Sequence, residues 1–351
     1  MICVINDIHW GVNGDSQYFL DHYARFFDNT FFPTLKERGI TTVVIAGDLW
    51  QSRKTINPLT LKKCIDHLFQ PMADASIHCI ILYGNHDVYY KNTNTTNTID
   101  FIGRMFKNVE VVDTWKEFKF GTNDVLMMSW LSSEIFEAGL AKLSSTSAKY
   151  VIGHFEINGY QMTPGYLYTH SLPPVTFAKF KRVISGHFHV RINDSKIIYT
   201  SNPFQTNWGD WGQEKGFHLF DTATGAIEAI NNPEDIYKVV SYKDGDKIDP
   251  DILKACTQSI VKIRIASYEG LEPKALKKFV QAFSDVAYKL VVDARETFDE
   301  KSELVVKTDG VKMTLRDVMG QYITETAPAY IGDDCKSLIF DLYDKAVGME
   351  E

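Results

Sequence analysis

The sequence predicts an α/β protein: layered sheets and helices over its first 235 residues, a small α+β segment after them, and a helical hairpin at the C-terminal end. Three observations carry that expectation. Short apolar, β-branched runs alternate with longer helical patterns, as in layered α/β domains. Several of those runs end at Gly or Asn, where a strand stops. The composition, 44% hydrophobic and 23% charged over 351 residues, supplies a sizeable core.

The elements follow in order. Ile2 to Asn6 reads as a short buried strand, and Gln17 to Arg38 as a helical stretch. Thr41 to Ala46 is a second strand, Asn57 to Ala73 a second helical stretch, His78 to Tyr83 a third strand and Thr98 to Phe106 a third helix. Val125 to Ser129, Tyr150 to Gly153, Arg182 to Ser185 and Lys196 to Thr200 follow with less helix between them, so a mixed sheet is expected. From 236 to 300, Ser259 to Ala266, Pro273 to Phe283 and Ala287 to Val292 read as strand, helix and strand of a small cap. Glu300 to Lys312 is polar with one apolar island and reads as a linker. In 301–351, Leu315, Val318, Met319 and Tyr322 then recur at helical spacing, as do Leu338, Leu342 and Tyr343 after Pro328 and Gly332.

Charge and cysteine usage exclude several classes. With 37 Lys and Arg against 45 Asp and Glu, the formal charge is -8, so any nucleic acid must be met by a local patch, a metal site or a partner. Five cysteines without a C-x-x-C pair fit a reducing compartment rather than a disulfide framework or zinc ribbon. No apolar run has membrane-span length, and the N-terminus lacks signal-peptide character, so a cytoplasmic protein is expected.

Five motifs follow strand candidates: Asp7-Ile8-His9, Gly47-Asp48, Gly84-Asn85-His86-Asp87, Gly153-His154 and Gly186-His187-Phe188-His189. Polar groups at the C-terminal ends of strands sit where ligands bind in α/β sheets. Asp, Asn and neutral His suit Mn, Fe or Zn better than a thiolate site would. Asp7 and His9 are two apart, as are His187 and His189, so on extended segments each pair points to one side. Seven candidate ligands are too many for one ion and right for two ions sharing a carboxylate. Five of the ten histidines fall in these motifs, and the remaining five sit in contexts with no ligand pattern.

The ordered set D-x-H, G-D, G-N-H-D, G-H and G-H-x-H resembles the calcineurin-like metallophosphoesterase family. Ile5-Asn6-Asp7-Ile8-His9-Trp10-Gly11 and Ala46-Gly47-Asp48-Leu49-Trp50 look like its SbcD-type DNA-repair nucleases. Gly153-His154-Phe155-Glu156-Ile157-Asn158-Gly159 and Ser185-Gly186-His187-Phe188-His189 look closer still to the recombination nuclease subunits of T-even-like phages. The resemblance implies two mixed sheets flanked by helices, with residues 1–235 as the nuclease domain, 236–300 as a capping and DNA-recognition domain, and 301–351 as linker and partner-binding hairpin. It implies one ion on Asp7, His9, Asp48 and His189 and a second on Asp48, Asn85, His154 and His187, Asp48 bridging. His86 is implied beside the ions as a catalytic residue, with Asp87 placed to orient it.

The implied activity is a Mn-dependent double-strand exonuclease and single-strand endonuclease in recombination and repair, hydrolysing phosphodiesters with a two-metal-activated hydroxide. Mg, Fe or Zn are the other candidate ions. Gln51 stands where many family nucleases carry His; Gln can hydrogen-bond but not exchange protons near pH 7. Arg53, Lys54, Tyr89 and Lys91 are candidate DNA contacts, adjacent in sequence to the motifs. The resemblance also implies an SMC-like SbcC-type ATPase partner, docked by the C-terminal helices, and a homodimer within a heterotetramer. A phosphatase or cyclic-nucleotide phosphodiesterase on the same fold is the competing enzyme class. A non-catalytic scaffold is the third, and its expected mark, missing ligands, is absent here.

Overall fold

In the computed structural model, which describes residues 1–163, 165–169, 171–243, 245–266, 272–293, 305–308 and 311–314, the early apolar runs are strands buried on both faces. Strands β1 (Ile2–Ile5), β2 (Thr42–Ala46), β3 (His78–Leu82) and β4 (Val109–Val112) run parallel. Next come β5 (Trp115–Phe120), β6 (Asn123–Met128) and β7 (Tyr150–His154), then a small hairpin, β8 (Gln161–Thr163) and β9 (Tyr166–Leu167). β10 (Arg182–Gly186), β11 (Ile192–Asn193), β12 (Ile197–Tyr199), β13 (Gly216–Phe220) and β14 (Ile227–Asn231) complete two six-stranded mixed sheets. Their orders are β14-β13-β1-β2-β3-β4 and β11-β12-β10-β7-β6-β5.

Period-two alternation within these strands makes four layers. Ile2, Val4, Val44, Ala46, Ile80 and Leu82 of the first sheet meet Val125, Met127, Tyr150, Ile152 and Ile184 of the second in one buried cluster. The alternate residues Cys3, Ile5, Val43, Ile45, Cys79 and Ile81 face outward against Tyr23, Phe26, Phe27, Leu68 and Phe69 of the helices. On the far side, Leu126, Met128, Val151, Val183 and Tyr199 pack with Leu143, Phe177 and Phe180. Residues read as one mixed sheet thus divide into two, as the resemblance implied. Strands buried on both faces carry no alternation that would tell one sheet from two.

The two long helical stretches each contain a π turn. Gln17–Phe26 passes through Phe27–Phe31 into Phe32–Glu37, and Pro58–Cys64 passes through Ile65–Phe69 into Gln70–Asp74. In both, a proline (Pro33, Pro71) lies two residues beyond the π turn. Proline removes one helical N–H and crowds the carbonyl four residues back, and the wider turn accommodates it without ending the helix. Asn57 caps its helix by accepting from the Leu59 amide at 2.9 Å.

Several elements escaped the sequence reading. Helix Phe136–Ser145 is one. β5 is another: an edge strand whose Lys116, Glu117 and Lys119 protect an open edge but weaken its apolar signal. β13 and β14 pair antiparallel beyond β1.

The chain divides into two compact units. The first comprises Met1–Lys238 with Ala255–Val261 and Ala287–Lys289. The second comprises Val239–Lys254, Lys262–Val286 and the described chain from Leu290. A three-stranded sheet of β15 (Tyr237–Tyr242), β16 (Ile260–Ile265) and β17 (Lys289–Asp293) and an amphipathic helix, Pro273–Val286, give the segment its α+β character. Inside the second unit the Phe279 and Phe283 rings meet at a tilt, with centroids 5.0 Å apart.

One correction falls in the stretch read as a linker: β18 (Val305–Thr308) and β19 (Val311–Thr314) form an antiparallel ladder. The Asp309-Gly310 dipeptide between two β-prone runs is a strong hairpin signal, and the polar flanks masked it. Thr314 ends β19, directly before the residues read as helical. Leu315, Val318, Met319, Tyr322, Leu338, Leu342 and Tyr343 lie outside the described residues. No described helix is long and apolar enough to cross a membrane.

Candidate metal centre

The five motifs meet where strands of both sheets end. β2 and β7 bring their last residues together: the ring of His154 lies with Nδ1 2.9 Å from the Ala46 carbonyl. The loops after β1 and β2 run side by side, with Asp7 N–H donating to Gly47 O at 3.0 Å and His9 N–H to Asp48 O at 3.1 Å. Nine non-glycine residues among those described have positive φ, and four are candidate site residues: Asp7, His9, Asp48 and His187 at 49°, 52°, 52° and 87°. Left-handed backbone costs energy, is tolerated best by Asp, Asn and His, and clusters at functional sites. Asp7 and His9 therefore converge through left-handed turns, not through the extended alternation expected from their spacing.

The side chains form two halves about Asp48. On one, His9 Nε2 is 3.2 Å from His189 Nε2, and His189 Nε2 is 3.9 Å from Asp7 Oδ1. On the other, His187 Nδ1 lies 2.9 Å from Asn85 Oδ1 and 3.2 Å from His154 Nε2, which is itself 3.1 Å from Asn85 Oδ1. One oxygen, Asp48 Oδ2, sits 3.6 Å from His9 Nε2 and 3.5 Å from His154 Nε2. Asp48 Oδ1 is occupied by the His86 amide, which donates at 2.8 Å. All seven sequence-expected ligands are thus in one site.

These residues fit divalent ions. Asp7, His9 and His189, and again Asp7, Asp48 and His154, offer ligand atoms within 4.8 Å of one another. Ring nitrogens facing each other at 3.2 Å repel unless a proton or a cation lies between them. Burial holds the His9 imidazole down at about 3 and lowers His187 as well, so both are neutral donors. Burial opposes a charge on His154 too, but the Asp48 and Asp7 carboxylates outweigh it and raise the ring to about 10. A carboxylate cluster that holds a proton on a buried imidazole attracts positive charge, and a metal ion takes that place.

His86 stands beside this cluster, its ring edge-on to His9 with centroids 4.9 Å apart. Its Nδ1 donates to the Gln51 carbonyl at 2.8 Å, leaving Nε2 as the free nitrogen. Asp87, expected to orient His86, does something else. It is buried, and both oxygens accept backbone amides: Leu49 and Trp50 at 3.0 and 3.2 Å on Oδ1, Gly84 at 2.8 Å on Oδ2. Asp87 ties the loop after β3 to the loop after β2, and the orienting group for His86 is the main chain of Gln51. Burial and the Asp48 charge push the Asp87 carboxyl up to about 7 against those amides.

Two glycines leave room for the cluster. Gly47 has φ of +93°, and a Cβ there would sit 2.4 Å from His154 Nδ1. A Cβ on Gly84 would sit 2.1 Å from Asp48 Oδ1 and 2.3 Å from its amide nitrogen. Gly84→Ala must therefore move the shared carboxylate. It is expected to destabilise the fold by about 1–3 kcal/mol, the usual cost of overpacking, and to weaken metal uptake; denaturant unfolding and metal titration of the variant check both.

Lys215 was not foreseen. It is buried, and its ammonium meets Asp210 Oδ1 at 2.7 Å, Asn202 Oδ1 at 2.6 Å and the carbonyl of His189 at 2.8 Å. Asp210 Oδ2 accepts from the Thr206 amide at 2.8 Å. The pair anchors the main chain of one candidate ligand. Lys215→Met leaves Asp210 buried without its cation and is expected to cost about 3–5 kcal/mol, read by denaturant unfolding.

The candidate DNA contacts divide by position. Lys54 Nζ lies 5.6 Å over the Tyr89 ring, and Lys91 lines a cavity of about 400 Å³ that reaches His154, Glu156 and Trp130. Arg53 is half-buried. Lys181 and Arg182, equally near a motif in sequence, lie at the start of β10, at its far end from His187, and donate to the carbonyls of Thr224 and Gly225 at 2.8 and 3.1 Å.

Residues 1–191 match the calcineurin-like phosphoesterase family. Exonuclease subunit 1 of Enterobacteria phage T4 is 27% identical over 343 residues, covering 95% of this chain and 95% of that protein. Among solved structures, an archaeal phosphodiesterase aligns over 66% of this chain and 99% of its own at 11% identity with a TM-score of 0.33. The Pseudomonas putida nuclease MPE aligns over 64% and 84% at 13% identity with a TM-score of 0.29. The match spans all five strand-end motifs, whose side chains meet at one site; the chain belongs to the calcineurin-like phosphoesterase family, whose members use a dinuclear metal site.

Proposed function

We propose that the protein is a Mn-dependent DNA nuclease subunit, a double-strand exonuclease and single-strand endonuclease that works with an SMC-like SbcC-type ATPase in recombination and repair. The observation that carries this reading is the convergence of seven ligand-type side chains in two halves about Asp48 Oδ2. The likeness to a phage exonuclease subunit along 95% of both chains supports DNA as substrate and a complex as the working form.

Asp7, His9, Asp48 and His189 would hold one ion and Asp48, Asn85, His154 and His187 the other. Divalent ions bound there supply Lewis acidity toward phosphate oxygens and a water that ionises near neutral pH. The chain's own residues do the rest. Asp48, with Oδ1 fixed by the His86 amide, presents Oδ2 to both halves. His86, its Nδ1 committed to Gln51 O, turns Nε2 toward the reacting phosphate, where it stabilises charge or donates a proton to the leaving oxygen. Arg53, Lys54, Tyr89 and Lys91 meet the DNA backbone and unpaired bases. The apolar residues Leu315, Val318, Met319, Tyr322, Leu338, Leu342 and Tyr343 would dock on the ATPase, within a heterotetramer built on a nuclease homodimer. Removing the chain after Phe298 is expected to abolish co-purification with that ATPase.

The test is cleavage of end-labelled duplex and single-stranded DNA with Mn, alone and with the ATPase, alongside the metal content of the same samples. DNA cleavage with two bound ions supports the reading. Hydrolysis of a small chromogenic phosphodiester without DNA cleavage under either condition would make the protein a small-substrate phosphoesterase. Absence of bound metal and of any hydrolysis would make it a scaffold.

A further inference from the structure

We propose that Glu156 is a positioning residue that sets the tautomer of His187 and so completes the half of the site formed by Asn85, His154 and His187. The inference rests on the dinuclear reading above. His187 faces two ways: Nδ1 points at Asn85 Oδ1, 2.9 Å away, and at His154 Nε2, 3.2 Å away. Its other nitrogen, Nε2, lies 3.5 Å from Glu156 Oε1. Glu156 is itself held at both oxygens. Trp130 Nε1–H donates to Oε1 at 3.3 Å, and the Tyr168 hydroxyl donates to Oε2 at 2.8 Å. A carboxylate fixed in this way is an acceptor held at ion-pair distance from Nε2. With a cation in the cluster it holds the ring proton on Nε2 and leaves the Nδ1 lone pair directed at that cation; without one, the Asn85 oxygen competes for the proton.

The neighbouring histidine is set the opposite way. His154 donates from Nδ1 to the Ala46 carbonyl at 2.9 Å and turns Nε2 inward. Two histidines that present different nitrogens to one position need two different acceptors behind them, one a backbone carbonyl and one a side chain. The backbone of His187 is strained, with φ of 87°, and its amide donates to Asp7 Oδ1 and Oδ2 at 3.1 and 3.0 Å. Those amide bonds fix the main chain and leave the ring's rotation and tautomer to Glu156. Groups behind a metal-binding histidine typically change metal affinity 10–100-fold when lost.

The test is Mn titration of the full chain followed by electron paramagnetic resonance, which separates one bound ion from a coupled pair. Wild type is expected to bind two. Glu156→Leu is expected to weaken one of the two sites by about 10–100-fold and leave the other unchanged, giving a single-ion spectrum at limiting Mn. Glu156→Gln keeps an acceptor oxygen and is expected to restore the coupled pair. Two ions bound by the Leu variant as tightly as by wild type would overturn the proposal, and so would a Gln variant as weak as Leu. A wild type that takes up fewer than two ions would instead sink the dinuclear reading itself. Nitrogen-15 spectra of wild type loaded with diamagnetic Zn give an independent readout should the Leu variant fail to fold: His187 bound through Nδ1 with its proton on Nε2 supports the proposal, and binding through Nε2 overturns it.

Discussion

Asp48→Ala is expected to abolish binding of both ions and to lower nuclease activity by about a thousandfold or more, the several kcal/mol of transition-state stabilisation that metal ions contribute. The reason is geometric. Asp48 Oδ2 lies at nearly equal distance from His9 and His154, 3.6 and 3.5 Å, and so is placed to serve both halves. Loss of a single histidine ligand empties or weakens one half and leaves the second its own donors. Asp48 also accepts the His86 amide, so its removal frees the loop that carries the proposed acid. Metal content by elemental analysis, set beside cleavage of labelled DNA, checks the expectation. Unchanged stoichiometry in the variant would show that Asp48 does not bridge.

His86→Ala is expected to keep both ions and lose about 10²–10⁴-fold in rate, the range for a positioned general acid or base. Neither ring nitrogen of His86 is among the atoms that converge on the cluster: Nδ1 is committed to Gln51 O, and the contact with His9 is edge-on. Removing the ring leaves the backbone amide that donates to Asp48, so the metal scaffold stays. The paired readout matters, since a variant that loses activity together with metal would place His86 in the scaffold instead. The Gln51 side chain is not needed for the interaction, because the acceptor is its main-chain carbonyl. Gln51→Ala is therefore expected to preserve the orientation of His86 and most of the rate.

The candidate ligand set could be read from the sequence because its chemistry is local. D-x-H, G-N-H-D and G-H-x-H are each weak alone; their conjunction is specific, since each follows a strand whose apolar run is equally plain. The long early helical stretches were legible from their patterns, prolines included, whereas Phe136–Ser145 was not. What each histidine and carboxylate does was decided by tertiary structure. Asp87 sits next to His86 in sequence, yet it meets amides from the Leu49-Trp50 segment and from Gly84, while the partner of His86 is a carbonyl from the loop after β2. Glu156 and Lys215 carry no motif signal of their own role; Glu156 reaches His187 across 31 positions and Lys215 reaches the His189 carbonyl across 26. Lys181 and Arg182 show the converse: close to a motif along the chain, they lie at the opposite end of the strand that carries it. The sequence by itself determined which atoms can bind a metal, since donor type is a property of the residue. Only the tertiary structure decided which atoms share a position and which acceptor fixes each ring, since hydrogen bonds form between groups that folding brings within about 3 Å of each other, whatever their separation along the chain.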